Sequence, residues 1–530
     1  MKMFLRMFKI PFRNRITSYL FIFTIFSMFT FPLLINPIST DSISTRPFVD
    51  YIFLNSNVIT VNQSNSIAEA IAIVNGEIIA VGDSDMILEN YETEENTTYD
   101  LEGRTIMPGI IDGHTHKMAS IVWFGQESFK SGQEIALSFG YTTLNEKSFD
   151  ETEWAELQTA EANGTLKMRM NLFMIHNLAS LDGNYDPVIV ERYWPDNNPI
   201  LDHDALIRVP GVKIYSDGAS GGAKGLPAMT IPYTPQMLVD WNGNDPYGEL
   251  YLEQFYLNAT VKAIQDKGFI CAFHTMGDRA MDTVLNAIEY ALGGATNDDY
   301  RHQIEHSSFL RPDQVTKIKN LNTVHSIRGY FPTYYQLEYE AIYPPEWLDW
   351  NINRYSLPGE GVHAYLESDF GFQNYDPTTL HNSRNIRPFL HMWGLVTKKA
   401  LDSMGQLHTP NPWIAEYLLT REQAIRLMTM EGAYAVKQED YLGSLEVGKY
   451  ADLIILSDDP LTCPEDDIKD ISVLLTMIDG KIAYESPSYT LTPYIRTDIS
   501  GLFDLHIAIP FLLGFILIFA YGLLSRRKQL

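Results

Sequence analysis

The chain has 530 residues, of which 45% are hydrophobic and 20% charged, and its formal net charge is −27. That length exceeds one ordinary domain but suits an α/β barrel of roughly 250 or more residues with a smaller companion. So acidic a body excludes nucleic acid or an anionic membrane surface as a partner held by general electrostatics. Only two cysteines are present, Cys271 and Cys463, which excludes a disulfide framework and a cysteine-based zinc site. Both are expected to be buried small hydrophobes.

In chain order, residues 1–45 carry five basic residues (Lys2, Arg6, Lys9, Arg13 and Arg15) and then an uncharged run from Ile16 to Ile35. The run is long enough to span a bilayer. As a retained anchor or as a long cleaved signal, it places the basic N-terminus in the cytoplasm. Residues 46–107 read as short strands, with a hairpin turn at Asn75–Gly76. From 108 to 437 apolar runs alternate with helical stretches, the pattern of a parallel sheet or barrel. Residues 438–487 return to short strands with a hairpin at Asp479–Gly480, so the two β-rich pieces are expected to form one composite β-domain around an inserted barrel. Residues 488–506 read as a linker. Residues 507–530 hold a second uncharged run, Ile507 to Leu524, closed by Arg526, Arg527 and Lys528. That is a membrane helix with its basic end inside. The expected placement is a cell-membrane protein with cytoplasmic termini and an extracytoplasmic body.

The chemistry sits where apolar runs end. In "IMPGIIDGHTH", His114 and His116 stand at i and i+2, positions that share one face of a strand. At the C-terminal end of a barrel strand they would face the active site. Lys213 lies in "GVKIYSDG" with Asp217 just beyond, His274 ends "GFICAFH", His306 ends "RHQIEH", and Asp369 ends "VHAYLESD". Neutral imidazoles and a carboxylate can hold a divalent metal while leaving a position for water.

These residues, with "VKIYSDGASGG", "AFHTMGDRAMD", "QIEHSSFLRPDQ", "ESDFG" and the closing "GSLEVGKYADLIILSDDPL", resemble the amidohydrolase superfamily. Within it the chain is similar to amidohydrolase family 3, which includes N-substituted formamide deformylase-like proteins. The resemblance implies a distorted (β/α)8 TIM barrel with a small composite β-sandwich. It implies one or two divalent metals, zinc first among them, held by His114, His116, Lys213, His274, His306 and Asp369. Lys213 falls where many superfamily members carry a carboxylated, bridging lysine, and Glu146 in "GYTTLNE" is a rival bridging carboxylate whose bland reading is a solvated loop residue. Catalysis would rest on Asp369, His306 and Lys213, acting on a non-peptide carbon–nitrogen bond (amide, formamide or cyclic amide) of a small-molecule substrate.

Two rivals stand beside that reading. "HQIEH" on a helix would make a zinc peptidase of His302, Glu305 and His306, but the segment does not favour a helix, which sets His302 and Glu305 aside as ligands. An inactive barrel would be a surface binding module. The aromatic stretch from Tyr330 to Trp350 reads as loop packing rather than a substrate wall. Arg279 beside Asp278 reads as a helix-start ion pair rather than a clamp for a substrate carboxylate.

Overall fold

Eight strands pair in parallel, in chain order, into one barrel sheet: β1 (Ile110–Thr115), β2 (Tyr141–Phe149), β3 (Arg169–Ile175), β4 (Ile207–Tyr215), β5 (Ile270–Thr275), β6 (Gln303–His306), β7 (Val324–Ile327) and β8 (Ala364–Leu366). The computed structural model describes residues 46–93, 97–116, 126–149, 151–176, 198–219, 225–241, 243–369, 386–402 and 404–494. Both terminal apolar runs lie outside these residues, and no described helix is long and apolar enough to cross a membrane. Between β8 and β1 the seam is stitched by side chain and backbone. Asp112 accepts from the Ser368 amide (3.1 Å) and hydroxyl (2.5 Å), and the Asp369 amide donates to the His114 carbonyl (3.0 Å).

The barrel interior is polar in its lower layers and satisfied by its own groups. Asn145 of β2, Asn171 of β3 and Arg208 of β4 bond one another and Gln438, and the Gly432 and Val436 carbonyls close the floor. Above them Lys147 of β2 donates to Gln303 of β6 at 3.0 Å, and Gln303 donates to the Ala435 carbonyl at 2.6 Å. Burying such groups unpaired would cost more than the barrel gains, so this network fixes which residues face inward.

The β-sandwich is composite. One sheet runs, in spatial order, Thr492–Pro493, Thr98–Asp100, Tyr51–Leu54, Ala70–Val74 and Glu77–Gly82. The other runs Lys481–Glu485, Val473–Ile478, Leu453–Leu456, Thr105–Pro108, Asn57–Ile59 and Ile67–Ala68. Strand Leu453–Leu456 lies antiparallel to Thr105–Pro108, with Ile454 opposite Met107, so segments far apart in sequence share one ladder. Phe53, Ile71, Ile106, Leu453, Ile455 and Met477 pack between the sheets. Asn75 and Gly76, like Asp479 and Gly480, have positive φ, as a two-residue hairpin of type I′ requires. The expected linker at 488 starts later than the sequence indicated. Thr492 and Pro493 pair with Asp100 and Tyr99, because the exposed edge of that sheet still offers backbone partners.

Both cysteines are free and buried, Cys271 within β5, and burial pushes both thiols up from their ordinary value. Thiolates are the reactive species. A thiol titration at mildly alkaline pH should therefore find almost no fast-reacting group in the native protein and both after denaturation.

Candidate metal centre

His114 and His116 project together from the end of β1, as their spacing requires. Their Nε2 atoms lie 3.3 Å apart and both face Asp369 Oδ1, at 3.2 and 3.4 Å. His116 Nδ1 is tied to the Lys147 carbonyl at 2.8 Å, which turns Nε2 toward the cluster. On the other side of the His114 ring, Nδ1 lies 3.2 Å from Glu305 Oε1. His306 follows Glu305 directly, yet both enter the site. Neighbours in a strand face opposite ways, but His306 has φ +70° and Ser307 φ +45°, and this left-handed bend breaks the alternation where β6 ends. Asp369, at φ +48°, is swung to the His pair in the same way. Left-handed residues other than glycine carry strain that the surroundings must enforce.

Two groups of three result: His114, Glu305 and His306, and His114, His116 and Asp369, each with ligand atoms within 4.8 Å of one another. His114 belongs to both. Burial, then the nearby Lys213, holds His114 well below the usual histidine value, and the same two causes bring His116 down to about 3. Burial brings His306 down to about 4, against the pull of Glu367. Neutral imidazole is the ligating form. His114 Nδ1 and Glu305 Oε1 are buried without a hydrogen-bond partner among the described residues. A ring nitrogen and a carboxylate oxygen left so, side by side, fit a cation.

Each site residue read from the sequence has a definite place. Lys213 is fully buried on β4, and its Nζ meets Glu305 Oε2 directly. Burial and Lys147 push its amine well down, while contact with the carboxylate works the other way. His274 packs on His306 with ring centroids 4.8 Å apart, its Nε2 turned to the Gly218 carbonyl at 3.3 Å, outside both groups of three. Glu146 is not brought to the cluster. It is a buried strand residue rather than a solvated loop carboxylate, and the pleat sends its neighbours Asn145 and Lys147 inward instead. In "HQIEH", Gln303–His306 is strand, which removes the helical peptidase arrangement. His302 faces away, bonded to the Cys271 amide and Gln265, whereas Glu305, set aside on sequence grounds, sits at the centre. Asp217 clips the loop after β4 to the amides of Ala228, Met276 and Gly277. Arg279 does not pair with Asp278. It holds the Tyr247 and Gly248 carbonyls, and Asp278 pairs with Arg311 at 2.7 Å.

Sequence reasoning missed Lys147, Arg328 and Glu367. Glu367 Oε1 holds His306 Nδ1 at 3.0 Å and Arg328 Nε at 2.6 Å, and Arg328 Nη2 contacts Asp369 Oδ2. Burial alone would raise the Glu367 carboxyl, but His306 and Arg328 hold it well below the usual range. A carboxylate behind a ligating histidine fixes its tautomer. Glu367→Gln should therefore weaken metal binding by roughly 10–100-fold, read by competition with a chromogenic chelator; unchanged affinity would remove Glu367 from that role.

Beside the cluster lies a cavity of about 460 Å³, bordered by His274, His306, Arg328 and Asp369. Its far wall corrects the loop reading of the aromatic stretch. The helices Phe331–Tyr334, Gln336–Ile342 and Pro345–Asn353 set Tyr335, Tyr339 and Tyr343 on the wall, while Trp347 packs behind them on Phe309 and Tyr343.

The sequence model described as "Amidohydrolase family" (Amidohydro_3) matches residues 126–484. N-substituted formamide deformylase of Arthrobacter pascens is 25% identical over 233 residues, 41% of this chain and 37% of that protein. Protein LONG AFTER FAR-RED 3 of Arabidopsis thaliana is 25% identical over 281 residues, 52% of this chain and 42% of that protein. The chain thus spans less than half the length of these curated relatives. Among solved structures, an uncharacterized metal-dependent hydrolase from Pyrococcus furiosus superposes with a TM-score of 0.58 at 19% identity, over 78% of this chain and 100% of that one, a likeness of fold.

Proposed function

This chain belongs to the amidohydrolase family, and from that premise we propose that this metal-dependent hydrolase cleaves a non-peptide carbon–nitrogen bond of a small molecule, in an amide, formamide or cyclic amide. Formamide is included because of the likeness to the Arthrobacter enzyme. The observation that carries the reading is the convergence of His114, His116, Glu305, His306 and Asp369 at one end of the barrel, beside an open cavity.

His114, His116, His306 and Asp369, with His274 at the edge, are assigned as ligands of one or two divalent ions, zinc first among them. When bound, such an ion polarises a carbonyl and acidifies water. Asp369, whose side chain is 25% exposed toward the cavity, takes the proton of the attacking water and returns it to the leaving nitrogen. Arg328 holds its other oxygen and so fixes the direction of transfer. Lys213 is assigned to the charge developing on the carbonyl oxygen, His306 remains a ligand fixed by Glu367, and the tyrosine wall keeps bulk water from the reacting bond. Anchoring by the two terminal apolar runs, with the body outside the cytoplasm, belongs to the same proposal, and alkaline extraction of membranes tests it.

Elemental analysis of the purified full-length chain, with a panel of amides and formamides, tests the reaction. One or two equivalents of divalent metal with turnover of panel members supports it. No metal after reconstitution sinks it and leaves a surface binding module as the better account.

A further inference from the structure

Two excursions border the cavity, residues 226–253 after β4 and residues 331–353 after β7, and each carries four acidic residues and no lysine or arginine. They share an apolar core of their own, in which Tyr233 and Met237 of the first pack with Tyr343 and Trp347 of the second. On the cavity side they present Trp241, Tyr335, Glu338, Tyr339 and Tyr343. A spacing of four residues lines up the tyrosines. The Tyr335 and Tyr339 ring centroids lie 5.7 Å apart, those of Tyr339 and Tyr343 5.0 Å, and Trp241 meets Tyr343 edge-on at 6.0 Å.

This wall holds acceptors that nothing meets. Glu338 is exposed and forms no ion pair or hydrogen bond among the described residues, whereas Glu340, two residues on, is held by Asn411 and by Trp413 Nε1. Asn351 also borders the cavity and is only 3% exposed. Its Nδ2 donates to the Ser308 carbonyl at 3.1 Å, which leaves Oδ1 a buried acceptor without a partner among the described residues. The cations on the wall lie deeper. Arg328 pairs with Glu367 and Asp369. Arg354, 4% exposed, reaches the Ser308 carbonyl at 3.4 Å and lies 5.1 Å from the Tyr355 ring centroid. The exposed edge of the cavity is therefore aromatic and negative. Aromatic faces attract organic cations, and a cleft lined by one sign of charge concentrates ligands of the other.

We propose that the cavity takes an amide whose far end is an organic cation of the trimethylammonium type. The cation lies against Tyr335, Tyr339 and Tyr343 with Glu338 as its counter-charge, Asn351 Oδ1 accepts the amide N–H, and the carbon–nitrogen bond points to His306 and Asp369. A cavity of about 460 Å³ suits a ligand of that size, since small-molecule sites run roughly 300–1,000 Å³. The cleavage of that bond rests on the hydrolase reading; the binding of the cation does not.

The test is binding without turnover. Formamides and acetamides of amines that end in a trimethylammonium group, each with a neutral isostere that ends in a tert-butyl group, are titrated into the full-length, metal-loaded protein by calorimetry at low temperature. The cations should bind about tenfold or more tighter than their isosteres, and the ratio should shrink as salt is added, because Glu338 is exposed. Glu338→Gln and Tyr339→Leu should each lower the ratio. Equal binding of the two series in the unmodified protein, no binding of any member, or a ratio that either variant leaves unchanged overturns the proposal. The unmodified protein decides it even if Tyr339→Leu does not fold. Metal content and turnover on the same preparation separate the two readings: turnover of neutral amides without a preference for the cation overturns this inference alone, and a preference for the cation in a protein that takes up no metal overturns the hydrolase reading alone.

Discussion

Replacing His114 and His116 together by alanine should strip the bound metal and lower kcat/KM by about 10³-fold or more. Losing one donor to a developing oxyanion costs roughly 10²–10³ in rate, and losing the ion removes both polarisation of the carbonyl and activation of the water. The two histidines are not equivalent. His114 reaches Glu305 through Nδ1 and the His116–Asp369 group through Nε2, so His114→Ala alone should cost nearly as much as the pair. His116 belongs to one group only, so His116→Ala should leave part of the metal in place. Elemental analysis with kcat/KM on the panel reads both. A double variant with full metal content would show that the ion sits elsewhere.

The His-x-His pair was legible because strand periodicity is short and unforgiving: i and i+2 must share a face. The composite sandwich was legible for a similar reason, since Asn75–Gly76 and Asp479–Gly480 permit little but a tight hairpin. What stayed hidden depends on a shift of one residue or on contacts between distant strands. Glu146 and Lys147 are adjacent, and only the register of β2 decides that the lysine faces inward. Glu305 was discounted because its segment does not favour the helix that a peptidase arrangement needs; in a strand, alternation lets only one of Glu305 and His306 face the site, and nothing in the sequence announces the left-handed turn that admits both. Arg328 and Glu367 gain their meaning from pairing across β7 and β8. The aromatic run hid its helices because Pro332, Pro344 and Pro345 read as loop punctuation, whereas in the structure Pro332 and Pro345 occupy first turns of helices, where proline is tolerated.

Glu305→Ala should destabilise the metal-free protein by about 3–5 kcal/mol, the range for breaking a buried charge pair by removing one partner. Glu305 is the carboxylate that Lys213 contacts, that lies 3.6 Å from Lys147 and that faces His114 Nδ1, and all of these groups are buried. Without it, two buried amines have no adjacent anion among the described residues, and the cheaper course is to give up their protons on folding. Burial already pushes both amines well below the ordinary lysine value of 10.5. That sets the sign of the pH dependence. A base whose folded value is depressed binds its proton better in the unfolded chain, so stability rises with pH until the unfolded lysines also deprotonate. The deficit of Glu305→Ala should therefore be largest near neutrality and shrink as the pH climbs toward 10.5. Urea unfolding in the presence of a chelator, across that range, measures it without interference from metal binding. A deficit below about 1 kcal/mol, the level of an exposed pair, would mean that Glu305 does not hold the lysines. A deficit that stays constant with pH would mean that the two amines remain charged in its absence.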